Sequence, residues 1–269
     1  MKLSEAIIIL ERAGIDNARH DARKIFESVG KLSKAELFFF DAECSSPELI
    51  SAIDRRRSRE PLQYILGEVG FYRESYYVNK SCLIPRSDTE ILVDFAVNNL
   101  PSGSRFIDLC TGSGCVAIST LRNTENTHAV AVDISEGALS VAEKNARRNS
   151  VSDRVSFIQA DVLKAAVPGK FFAVLSNPPY VSDSAYEKLE PEIYFEPKIA
   201  FVGGADGLDF YGKIIDLYID RLEEGGFFAF EIGFDQAEAL KKLADTQSLS
   251  CEIIKDYLNN DRVAVLRKN

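Results

Sequence analysis

Residues 1–66 carry apolar positions at helical spacing in four runs, 3–13, 18–29, 34–40 and 47–59, and predict an all-helical segment. Ser33 before Lys34-Ala35-Glu36 makes a capping box; Ser46 then Pro47 sets a cap followed by proline at the first helical position. Arg55, Arg56, Arg57 and Arg59 close the last run, where positive charge suits the helix dipole. They read as a solvated helix end, with contact to an anionic partner as the other reading. Over residues 67–80 the period changes. Gly70-Phe71-Tyr72 and Tyr76-Tyr77-Val78 flank the polar turn Arg73-Glu74-Ser75, a hairpin pattern taken as the joint between domains.

From about residue 81 apolar strand-like runs alternate with amphipathic ones. Strands are predicted at 105–109, 129–132, 155–158, 171–175 and 227–232, with helices at 115–121, 135–149, 208–222 and 235–244 between them. Two short runs, 251–254 and 262–266, follow with too few residues between them for a parallel crossover, so they pair antiparallel. The fold class is therefore α/β: a doubly wound, Rossmann-like sheet, mostly parallel with an antiparallel C-terminal strand, preceded by a small all-helical domain.

Composition narrows the function. Of 269 residues, 46% are hydrophobic and 27% charged, ordinary for a globular chain, and the formal net charge is -9. That balance argues against a general nucleic-acid binder, which needs a basic stripe to release counterions. No apolar stretch approaches the roughly 18 residues of a membrane span, and the charged first residues do not make a signal peptide. Five cysteines without CxxC spacing fit reduced thiols in the cytoplasm. With only His20 and His128 a metal centre is not expected.

Two segments carry candidate chemistry. Asn177-Pro178-Pro179-Tyr180 leaves the strand at 171–175. Proline fixes its own φ and holds the residue before it extended. Asn177 is thus presented with little freedom, beside carbonyls that no helix absorbs and the flat face of Tyr180. Such a clamp suits a planar group bearing NH2, an amide or an exocyclic amine. A proline-rich turn leaving a strand is the bland alternative. Upstream, Asp108-Leu109-Cys110-Thr111-Gly112-Ser113-Gly114 joins a strand to a helix whose free N–H groups attract an anion. Gly112 to Ala117 also satisfies G-x-G-x-x-A, so a dinucleotide is considered. S-adenosylmethionine is favoured because Asp108 can accept from its ammonium but repels a pyrophosphate. Asp133 can accept from ribose hydroxyls, a position shared with dinucleotide proteins. At Asp161-Val162 a carboxylate and a backbone N–H can bond the adenine.

Together these residues resemble the PrmC/HemK methyltransferases over nearly the whole chain. The resemblance rests on Glu60-Pro61-Leu62-Gln63-Tyr64-Ile65-Leu66-Gly67, on Leu83-Ile84-Pro85-Arg86-Ser87-Asp88-Thr89-Glu90 and on the glycine loop. It continues through Ser176 to Val181, Glu196-Pro197, Gly203-Gly204-Ala205-Asp206-Gly207-Leu208, Glu231-Ile232-Gly233 and Asp261-Arg262-Val263. It departs at Cys110, where glycine is common, and at Ser87, which replaces a proline.

The resemblance implies an S-adenosylmethionine-dependent enzyme that methylates a glutamine side-chain amide in class-I peptide chain release factors, with S-adenosylhomocysteine as product. It implies a helical recognition domain (1–66), a hairpin linker (67–80) and a methyltransferase domain (81–269). Cofactor contacts are expected at Asp108, Cys110, Thr111, Gly112, Ser113, Gly114, Asp133, Asp161, Val162 and Asn177. Substrate contacts are expected at Asn177, Pro178, Pro179 and Tyr180, of which Asn177, Pro178 and Tyr180 serve catalysis. A cytoplasmic monomer without direct nucleic-acid or membrane contact is expected. The alternatives are a nucleobase exocyclic-amine methyltransferase, a non-catalytic module that grips release factor or ribosome and, more distantly, a dehydrogenase.

Overall fold

The computed structural model describes residues 1–39 and 41–268. Phe40, which ends the third predicted helical run, and Asn269, which ends the predicted methyltransferase domain, lie outside the described residues. The chain forms two compact units, Met1–Val69 with Glu190–Phe195, and Gly70–Leu189 with Glu196–Asn269.

The first unit is built from α1 (Leu3–Arg12), α2 (Ala18–Ser28), α3 (Lys34–Phe39), α4 (Pro47–Arg57) and α5 (Leu62–Leu66). Leu3, Ala6 and Leu10 of α1 share one face and bury against Ala22, Ile25 and Phe26 of α2 and Leu49 and Ile53 of α4. Ser33 and Glu36 exchange the two bonds of a capping box, and Ser46 accepts from the Leu49 N–H at 3.1 Å. The arginines at the end of α4 are not the solvated end predicted from their run. Arg56 donates to Asp21 at 2.8 Å and twice to Glu192 at 3.2 Å. Arg59 reaches the other Glu192 oxygen at 2.7 Å, and Arg55 grips Glu60 through two 2.9 Å bonds. Arg57, its side chain 57% exposed, and Arg55, 42% exposed, keep contact with solvent. The difference is physical: the neutralising carboxylate arrives from residue 192, far along the chain.

The second unit follows from the boundary strand β1 (Glu68–Phe71) and its hairpin partner β2 (Glu74–Tyr77). Next come α6 (Glu90–Asn99), β3 (Arg105–Leu109), α7 (Cys115–Arg122), β4 (His128–Asp133), α8 (Glu136–Arg148) and β5 (Val155–Gln159). Then follow β6 (Phe171–Ser176), α9 (Asp183–Tyr186), α10 (Asp209–Tyr218), β7 (Leu222–Glu231), α11 (Ala237–Thr246), β8 (Leu249–Lys255) and β9 (Asp261–Lys268). The seven-stranded sheet has the order β5-β4-β3-β6-β7-β9-β8. Its strands run parallel through β7, and β9 lies antiparallel to both β7 and β8.

The strand positions follow the apolar runs closely except at the start of β7, and helix α9 has no predicted counterpart. Nor was helix α6 predicted; its Ile91, Leu92, Val93 and Ala96 are buried, and the helix packs against β6, β7 and β9. Strand β7 begins at Leu222, not near 227. Leu222 pairs with Phe171 before the register shifts past Gly225 and Gly226. Phe227, Phe228 and Phe230 are fully buried, each stabilising the sheet core by roughly 1.5–3 kcal/mol. This core holds the carboxyl ends of β3, β4 and β6 in fixed register, where ligands bind in open α/β sheets.

Candidate active site

A cavity of about 380 Å³ opens at those strand ends, within the range of small-molecule sites. Cys110, Gly112, Asp133, Asp161, Val162, Asn177 and Pro179 all line it. A smaller cavity shares Cys110, Gly112 and Asn177 and adds Asp108, Thr111 and Ser113. Three of the predicted residues line neither cavity: Gly114, Pro178 and Tyr180. Leu83, Ile134, Pro197, Ile199, Asp209 and Phe210 are among the other residues of the larger wall. Ile199, though 56% exposed, is apolar and carries no local signal of a ligand.

The glycine loop is shaped by packing behind it. Gly114 has φ +82°, and a Cβ there would meet Ile118 at 2.9 Å and Ala142 at 3.0 Å. Only glycine lets α7 start so close to α8. Asn145, fully buried, donates to the Ser113 carbonyl at 2.9 Å and to the Tyr77 carbonyl at 3.0 Å, and accepts from the Tyr77 N–H at 2.7 Å. Loop and hairpin are thereby fixed together. Cys110 adopts φ +61°, a left-handed conformation that disfavours any residue with a Cβ. Burial raises its thiol pKa, so the side chain is neutral.

Three aspartates differ in environment. Asp108 accepts from the Thr111 hydroxyl at 2.6 Å and the Ala117 N–H at 3.2 Å, while its Oδ1 is buried without a partner. Burial pushes its carboxyl up to about 7 against those two bonds. Asp133 accepts from the Gly112 and Ser135 N–H groups, each at 2.9 Å, and burial raises its pKa. Asp161 is held below the usual range, first by the Leu163 N–H and then by Lys164.

The strand β6 exit is braced on every side. Ser176 pairs with Phe230, so Asn177 and Glu231 stand at neighbouring strand ends. The Asn177 Nδ2 donates to the Thr89 hydroxyl oxygen at 3.1 Å. The Tyr180 hydroxyl donates to Glu231 Oε1 at 3.1 Å. Burial raises the Glu231 carboxyl pKa, while the Thr89 and Tyr180 hydroxyls and the Arg262 charge pull it back. The Tyr180 carbonyl accepts from Gln236 Nε2 at 3.0 Å, and Gly207 lies so close that a Cβ would stand 2.1 Å from that carbonyl oxygen. Glu196 accepts from the Ile84 N–H at 2.9 Å and pairs with Arg86, tying residues 84–86 to the Glu196-Pro197 turn.

A sheet of this order, with a glycine turn after β3 and an acidic residue ending β4, is that of a Rossmann-like methyltransferase. Solved structures agree at the level of fold. A ribosomal protein L11 methylase from Lactobacillus delbrueckii subsp. bulgaricus aligns with TM-score 0.53 at 18% identity, covering 71% of this chain and 84% of the other. The hMettl16 catalytic domain in complex with MAT2A 3'UTR hairpin 6 aligns with TM-score 0.58 at 15% identity, covering 83% of each.

The family models that match are the PrmC N-terminal domain over residues 2–67 and the Methyltransferase small domain over residues 87–193. The release factor glutamine methyltransferase of Thermodesulfovibrio yellowstonii is 37% identical, covering 93% of this chain and 92% of its own length. That of Geobacter sulfurreducens is 34% identical, covering 94% and 91%. The chain belongs to the release factor glutamine methyltransferase family. Among the described residues no helix is long and apolar enough to cross a membrane.

Proposed function

We propose that this protein transfers a methyl group from S-adenosylmethionine to the side-chain amide nitrogen of a glutamine in class-I peptide chain release factors. The observation that carries the reading is the Asn177 amide. Its Nδ2 is engaged by Thr89, and no protein donor among the described residues reaches its Oδ1, on a residue that lines both cavities.

The residues fit the cofactor. Asp108 Oδ1 is a buried acceptor lacking a donor, which suits an ammonium group. Asp133 is acceptor-only beside the larger cavity and suits a ribose diol. Asp161 and Val162 line the same cavity and suit adenine. When bound, S-adenosylmethionine supplies an electrophilic sulfonium methyl.

An amide nitrogen is a poor nucleophile because its lone pair is delocalised into the carbonyl. Asn177 Oδ1 and the Pro178 carbonyl each accept one hydrogen of the substrate NH2. This turns the nitrogen lone pair toward the reacting face and stabilises the positive charge that develops on nitrogen. Pro178 cannot rearrange its backbone to withdraw that carbonyl. Tyr180, held by Glu231 and Gln236, keeps the chain beyond the clamp in place.

The test is mass spectrometry of purified release factor after incubation with the protein and isotopically labelled cofactor, with total RNA and DNA as competing acceptors. One methyl on a factor glutamine is expected. The Asn177→Ala variant is expected to lose most turnover while binding cofactor within a few-fold of the parent. Label in nucleobases and not in protein would overturn the reading.

A further inference from the structure

An asparagine amide offers an acceptor at one end and a donor at the other, and the two ends are nearly the same shape. The clamp works only if the oxygen faces the substrate. With the NH2 end inward, a donor would confront the donors of the substrate amide. Something beside Asn177 must therefore break the symmetry.

We propose that Thr89 and Glu231 are positioning residues that set the polarity of the Asn177 amide. Thr89 is 2% exposed, so its one hydroxyl hydrogen has no bulk water to meet. Glu231 is 1% exposed and stands beside Asn177 at the next strand end. An ionised carboxylate only accepts. Glu231 Oε2 is buried with no hydrogen-bond partner, and the Thr89 hydroxyl is one of the groups that pull the Glu231 carboxyl back down. The Thr89 hydrogen is the donor assigned to that oxygen, which leaves the Thr89 oxygen with its lone pairs. Facing Asn177, those lone pairs accept from Nδ2, at 3.1 Å, and reject Oδ1. Tyr180 donates to the same carboxylate at 3.1 Å, so the group that fixes the amide also fixes the aromatic residue three positions on. Arg262, itself paired with Asp88 at 3.1 Å and Asp256 at 3.3 Å, adds a charge that pulls the Glu231 carboxyl down against the effect of burial. A threonine is needed because the relay must accept on one side and donate on the other. Leucine or valine would break it; serine would keep it.

This inference rests on the reading that Asn177 accepts a hydrogen from a glutamine amide. The experiment separates the two. Wild type, Thr89→Ser, Thr89→Val and Glu231→Gln are assayed with release factor for kcat and KM and with cofactor alone for Kd. Binding is also measured to a release factor whose loop glutamine is replaced by glutamate.

In Glu231→Gln the buried Tyr180 hydroxyl claims the new carbonyl end, and the NH2 end faces Thr89. The Thr89 hydrogen then turns to Asn177, and the Asn177 NH2 points into the site. Turnover is expected to fall about a hundredfold with cofactor Kd unchanged, as for one misdirected hydrogen bond at a reacting centre. The glutamate-bearing factor, now met by a donor, is expected to bind about tenfold tighter than to wild type. Thr89→Val is expected to lose kcat in the same way, and Thr89→Ser to stay within about fivefold of wild type. Should Glu231→Gln fail to fold, the serine and valine pair decides. Turnover by Thr89→Val within threefold of wild type overturns the proposal, as does glutamate-factor binding unmoved in a folded Glu231→Gln. If wild type itself does not methylate the factor, the functional reading has failed instead.

Discussion

Asp108 should make the folded protein less stable as the pH rises. Its carboxyl lies wholly buried, with one oxygen unpartnered, and its pKa stands at about 7 against an ordinary 3.8. A group whose folded pKa is raised keeps its proton longer in the folded chain than in the unfolded one. Between 3.8 and 7 the folded state therefore binds more protons, and stability falls through that window. The full shift of about 3 units corresponds to about 4 kcal/mol, an upper limit on what ionised Asp108 costs at pH 8. Asp108→Asn has no charge to bury and keeps one acceptor for the Thr111 hydroxyl. Any hydrogen bond it loses shifts its stability by the same amount at every pH. Its stability relative to the parent should therefore rise by about 2–3 kcal/mol between pH 5 and pH 8. Urea unfolding of both proteins at pH 5, 6, 7 and 8 reads this directly. A parent–variant difference that stays constant over that range would refute the reasoning. The same proton links to the cofactor. If an ammonium group meets Asp108, only the carboxylate binds it well, so affinity should rise nearly tenfold per pH unit up to about 7 and then level off. Asp108→Asn should lose both the affinity and its pH dependence.

Further outcomes follow from other sites. Asp133→Ala should weaken cofactor binding about 10- to 100-fold, the loss of charge-assisted hydrogen bonds, with little change in kcat at saturation; unchanged affinity by calorimetry would reject the ribose role. Cys110→Gly removes a left-handed residue bearing a Cβ, which costs about 1–2 kcal/mol in that conformation, partly offset by the glycine's own entropy. Thermal melts should show a stability equal to or above the parent's, and turnover should persist. Arg56→Ala leaves Asp21 and Glu192 without their shared cation and should destabilise the helical unit by about 3–5 kcal/mol, read by urea titration; a loss under 1 kcal/mol would mean the pairing is solvated after all.

Much of this was legible in the chain because the information was local. The apolar runs that became β3, β4 and β6 are almost wholly buried and read as short continuous blocks, while β5, at the sheet edge, buries only Val155. Ser33 and Ser46 signal their helix starts within three residues. Asp133, Asp161 and Asn177 reach one cavity because each ends or follows a strand of the same sheet, and the alternation of elements already implied that sheet. What was not legible depended on long-range partners. Arg56 looks like a surface charge until Glu192 is brought to it. Thr89 sits in a motif stretch, yet Asn177, from which it accepts, follows β6, and Glu231 ends β7, strands that become neighbours only once the strand order is known. Helix α6 escaped notice because Ile91, Leu92 and Val93 form a block rather than a stripe, being covered on more than one side. Asp108 was expected at the ligand, but its position inside β3 rather than beyond it places the carboxyl in dry surroundings, and that sets its pKa.

The helical unit is not contiguous in the chain, since Glu190–Phe195 belongs with Met1–Val69. A fragment cut after residue 69 would lack Glu192, stranding Arg59 and leaving Arg56 with only Asp21 as a counter-ion. Anyone wishing to study or graft that module should splice the six residues back through a short linker, because the convenient cut site in the primary structure severs one of its own struts.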